Sequence, residues 1–107
     1  MLYKFKSKAA GDVIMLEGNG QRVLEIIGKS PDAKGIILPE AMQAAVEALQ
    51  AAILQEEAER EAAIALALAQ GQPKPLFDYV TLRQRAHPFL AMLKTCQKAG
   101  KEIVWGV

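Results

Sequence analysis

Residues 39–70 read PEAMQAAVEALQAAILQEEAEREAAIALALAQ, a run of strong helix formers with no Gly or Pro after its first residue. Ala, Leu, Glu and Gln lose little side-chain freedom in a helix. Pro39 suits a first helical position, where its missing N–H has no partner to lose. The stretch predicts one helix, or two in line. Fully helical, 32 residues would span about 48 Å, longer than a compact domain of this size is wide. It must therefore break, protrude or meet a partner.

The two halves differ. Met42, Ala45, Val46, Leu49, Ala52 and Ile53 recur at three-and-four spacing and predict one buried stripe. Gln55 to Glu61 is polar nearly all round, and AAIALALA follows, in which the alternate alanines favour helix over strand. This second half is either a helix end that covers a neighbour or a surface for self-association, since an overlong helix exposes apolar area that needs a second chain.

The whole chain is short enough for one domain: 107 residues, 51% hydrophobic, with a net charge of +1 that exerts no global pull on nucleic acid or anionic membrane. The charge is unevenly placed. Glu40, Glu47, Glu56, Glu57, Glu59 and Glu61 face one base, Arg60, in the long stretch, whereas Arg83, Arg85, Lys94, Lys98 and Lys101 lie in a later segment without acids. An acidic and a basic helix are expected to pair. One cysteine, Cys96, offers neither an internal disulfide nor metal-ligand spacing, and no secretory leader or membrane-length apolar run is visible. A cytoplasmic, reducing location is the expectation.

Outward from the helix, Leu2 to Lys6 alternates, with Tyr3 and Phe5 on one face and Lys4 and Lys6 on the other, a half-buried strand within residues 2–7. Residues 12–16, Asp-Val-Ile-Met-Leu, suit a buried strand paired back on the first or a helical turn capped by Asp12. Glu17-Gly-Asn-Gly20 is a breaker cluster, after which Val23, Leu24, Ile26 and Ile27 predict a helix closed by Gly28. Residues 29–38 form a loop whose Ile36-Ile37-Leu38 end should enter the core. Gln70 to Pro75, with two prolines and a glycine, ends the long helix.

Thr81 and Gln84 have capping-box spacing for a helix whose apolar stripe is Leu82, Ala86, Phe89, Leu90, Leu93 and Cys96. Pro88 within it should kink or break the helix. Residues 102–106 close the chain as a strand that places Ile103 and Trp105 together, docked beside the first. The fold class expected is α+β and mostly helical, about four helices packed on one face of a sheet of two or three short strands.

FKSKAAGDVIML, VLEIIGK, GIILPEAM, LRQRAHPFLAML and IVWGV together resemble a family of short bacterial proteins catalogued as a domain of unknown function, over nearly the whole chain and most loosely from about Leu54 to Pro75. The resemblance implies a complete protein and transfers no activity, ligand or catalytic residue.

No constellation in the residues points to catalysis, a metal or a cofactor. His87 and Cys96, nine positions apart on one helix, would lie about 13 Å apart along its axis, too far for a thiol–imidazole pair. The readings that follow are a non-enzymatic binding or assembly protein, a homodimer through residues 39–70, with another protein partner as an option and no membrane. A regulator is the alternative, binding nucleic acid or an acidic partner through Lys4, Lys6, Lys8, Lys98 and Lys101. The second alternative is a small-anion site at Arg83, Arg85 and His87, beside Pro88. Against nucleic acid, Tyr3, Phe5 and Trp105 should point away from the lysines.

Overall fold

The computed structural model describes residues 2–77 and 80–106. The alternation of the N-terminal segment makes it a strand, Leu2–Lys6 (β1), and the apolar run after it is the strand Val13–Leu16 (β2), paired antiparallel with β1 in the register Leu2 to Leu16 and Phe5 to Val13. Of the two conformations open for residues 12–16, pairing with β1 decides for the strand. The closing segment Ile103–Trp105 (β4) lies on the other side of β1, as expected, and a further strand, Gly35–Ile37 (β3), adds to β4. The sheet is therefore four-stranded and antiparallel, in the order β2-β1-β4-β3. Two or three strands were expected. The extra one was hidden because three residues are too few to show a period.

One face of the sheet carries Tyr3, Phe5, Met15, Ile37, Ile103 and Trp105, all buried in a single core with the helices. Its centre is aromatic: the rings of Phe5 and Phe89 lie 4.7 Å apart and those of Phe5 and Trp105 5.8 Å apart, both tilted, a favourable arrangement of ring quadrupoles. The polar tips of this cluster are satisfied by one loop. The Tyr3 hydroxyl donates to the Pro31 carbonyl (2.8 Å) and the Trp105 indole N–H to that of Asp32 (2.9 Å).

Three α-helices and one 3-10 turn are present among the described residues, in place of about four helices. The first, Glu17–Ile26 (α1), takes in the whole Glu17-Gly-Asn-Gly20 cluster that reads as a breaker. The reason is contact. A Cβ on Gly20 would stand 2.5 Å from Cδ2 of Tyr3, so glycine is what lets α1 lie directly on β1. Pro39–Ala41 is a 3-10 turn leading into a single helix, Met42–Ala69 (α2), which settles residues 39–70 as one continuous helical unit. Met42, Ala45, Val46, Leu49 and Ile53 are buried, the stripe the spacing predicts.

Leu82–Ala99 (α3) starts at a complete capping box formed by Thr81 and Gln84 and ends at Gly100, whose φ of +67° favours glycine. It passes through Pro88 without a break. Pro88 sits on the exposed side, so its ring and its missing N–H fall where no packing depends on them. Hydrogen bonds join Gln97 to Gln43 and the Leu82 amide to Glu56, so α3 runs antiparallel to α2 and spans its residues from about 43 to 57.

Candidate functional site

From Ala58 onward α2 extends past α3 as an arm of about three turns, roughly 18 Å. The molecule is accordingly long, with extents of 53 × 28 × 21 Å and a radius of gyration of 16.0 Å, against about 13 Å for a compact chain of this length. The return from the arm tip passes one side of it, where Arg60 stacks over the Phe77 ring at 5.0 Å. The other side is open: Leu54, Leu66 and Leu68 are exposed, as are Glu59 and Glu61.

The base of the arm is held by charge. The Glu56 carboxylate accepts from the Leu82 amide at the start of α3 (3.0 Å) and from Arg22 of α1 (3.1 Å), with Arg60 at 3.5 Å, tying three helices at one point. Burial works against its ionisation, but the Leu82 amide, Arg22 and Arg60 outweigh that and hold its pKa below the ordinary value. Arg83 grips Glu57 through two hydrogen bonds of 2.7 and 2.8 Å, which lowers the Glu57 pKa. The expected pairing of an acidic with a basic helix is met here.

Among the described residues, nothing covers the sheet face opposite the helices. Its outward side chains are Leu2, Lys4 and Lys6 of β1, Ile14 and Leu16 of β2, Ile36 of β3 and Val104 of β4. Leu2, Ile14 and Leu16 are 57%, 57% and 65% exposed. An antiparallel sheet with one solvated face ordinarily alternates apolar inward with polar outward. Here five of the seven outward residues are apolar, the pattern of strands covered on both sides. Ile36 and Leu38 belong to the same exposed surface, which corrects the expectation that Ile36-Ile37-Leu38 enters the core: among these three, Ile37 alone is buried. The signal that could have revealed this face was the unbroken Val-Ile-Met-Leu of β2.

Lys4 and Lys6 project from the middle of this apolar face, and Lys4 lies 3.6 Å from Asp12. Lys6 and Lys8 share a shallow depression with Asp12 and Glu102, so acids interrupt the lysine ridge. Lys98 lies in the last turn of α3 and Lys101 just beyond it, both exposed. Tyr3, Phe5 and Trp105 are buried on the opposite face from Lys4 and Lys6.

The three residues near Pro88 divide. Arg83 and His87, one turn apart, line a groove of about 500 Å³ between α2 and α3, together with Lys94 and the apolar Ile53, Leu54 and Leu90. Arg85 turns the other way and donates to the Asn19 side chain at 2.6 Å, joining α3 to α1. Lys94 completes the cationic lining in its place, on the same helix face as His87 at seven-residue spacing. Cys96 is buried in the core and His87 is exposed. Among the described residues no three His, Cys, Asp or Glu side chains converge as a metal site, and no helix is long and apolar enough to cross a membrane.

Comparison with curated proteins and with solved structures returned no match. A family profile matches residues 1–105, and the chain belongs to that family, the domain of unknown function DUF1840.

Proposed function

We propose that this protein is a non-enzymatic assembly domain that forms a homodimer through the arm of α2. The carrying observation is the arm itself: three helical turns extend beyond α3 and expose Leu66 and Leu68 at 58% and 71%. Exposed leucines on a helix anchored this firmly at its base are most economically covered by a second chain. Light scattering coupled to size exclusion tests the reading, with Leu66→Glu and Leu68→Glu as variants that alter exposed positions alone. Twice the chain mass in the parent and the single mass in the variants support it; a parent that stays at the single mass at high micromolar concentration refutes it.

The groove between α2 and α3 favours a second reading, capture of a small anion by Lys94, His87 and the part of the Arg83 guanidinium left free by Glu57. Its cationic rim over an apolar floor suits a carboxylate with a short hydrocarbon tail. Thermal stabilisation by such carboxylates, lost in Lys94→Glu, is the expected result. A binding role for the lysine ridge on nucleic acid has less support, because acids interrupt the ridge and its neighbouring aromatics are buried.

A further inference from the structure

Among the described residues two surfaces lack a cover, and they are complementary. The outer sheet face is apolar with a positive centre: Leu2 stands opposite Leu16, and Lys4 opposite Ile14, on the paired strands β1 and β2. The arm carries a negative charge among apolar residues: Glu61, Ala65 and Leu68 fall on one helix face at spacings of four and three, in line with Leu54 below the base of the arm. A helix about 10 Å across covers about two strands spaced about 4.8 Å apart. The β1–β2 pair is that wide.

We infer that the arm of one copy docks on the outer sheet face of a second copy, with Glu61 meeting Lys4 among Leu68, Leu2, Ile14 and Leu16. The inference rests on self-association through the arm and specifies what the arm binds. Docking would give the sheet helices on both faces, the layering that its apolar outward residues fit. Charge selects this occupant over a second sheet. Two outer faces packed together would set Lys4 and Lys6 against their own copies, whereas the arm brings Glu61 on the same face as Leu68. The present Lys4 partner, Asp12, is 3.6 Å away with both side chains about half exposed, an ion pair weak enough to be exchanged.

The test is a charge swap read by light scattering over a dilution series, with far-UV circular dichroism to verify folding. Lys4→Glu and Glu61→Lys should each weaken the dimer at least about tenfold, and the combined variant should regain most of the loss. Ile14→Ser, which removes apolar area without changing charge, should weaken it as well. If Leu68→Glu gives monomers while Lys4→Glu and Ile14→Ser leave the dimer intact, the arm mates elsewhere: self-association stands and docking on the sheet falls. If Lys4→Glu and Ile14→Ser dissociate the dimer but Leu68→Glu does not, the sheet face meets something other than the arm, and the inference is overturned. A parent that is monomeric throughout removes both, and its retention on vesicles of anionic phospholipid would assign the lysine-centred face to a lipid surface instead.

Discussion

At the scale of single residues, Gly20 and Glu56 hold more of the architecture than their types suggest. Gly20 is buried between α1 and β1, and a methyl group there meets the Tyr3 ring at 2.5 Å. Gly20→Ala should cost about 1–3 kcal/mol through displaced packing, despite alanine's better helix propensity. Urea denaturation measures this, and an unchanged or higher midpoint would mean Tyr3 yields easily. Glu56 joins α1, α2 and the first amide of α3, and its pKa lies below the ordinary 4.5. A carboxylate depressed by folding contributes stability above its unfolded pKa, and that contribution disappears as pH falls through the folded value. The unfolding free energy should therefore decline below about pH 4.5, and Glu56→Gln should flatten that decline while lowering stability at pH 7 by about 1–2 kcal/mol. An acid limb unchanged in the variant would assign the titration elsewhere.

At the scale of elements, the helices were readable where their signals are local. The capping box of Thr81 and Gln84, the stripe from Met42 to Ile53 and the alternation of β1 each lie within a few residues of sequence, and each appears as the spacing predicts. What escaped depends on distant neighbours. Gly20 of the Gly-Asn-Gly cluster sits in a helix packed against Tyr3, and β3 exists because β4 offers it an edge. The candidate site was legible in part by the same rule: Arg83 and His87 share a helix face, but the role of Arg85 is set by Asn19, 66 positions away. Pro88 shows how exposure tempers a local rule. With its ring toward solvent, α3 continues, although the Gln84 carbonyl has no Pro88 N–H to accept from. Pro88→Ala should restore that bond and raise stability by about 1–3 kcal/mol, seen as a Tm higher by about 4–8 °C per kcal/mol. A lower Tm would show that the proline packs usefully.

At the scale of the whole molecule, the long axis of 53 Å and the uncovered sheet face have a common origin. One helix runs beyond the body it packs on, and one sheet has apolar residues on both sides of strands that the chain covers on one side. Neither surface gains from remaining in water. The lysine ridge was visible in the alternation of β1, yet the apolar face around it was not, because Leu2, Ile14, Leu16 and Ile36 come from three strands that sequence alone does not align. The most direct measurement is the mass in solution, by light scattering coupled to size exclusion, at protein concentrations spanning low to high micromolar. A concentration-dependent approach to twice the chain mass, abolished by Leu68→Glu in a variant that keeps its helical circular dichroism, is the expected result. A single-chain mass across the whole range would contradict self-association through the arm.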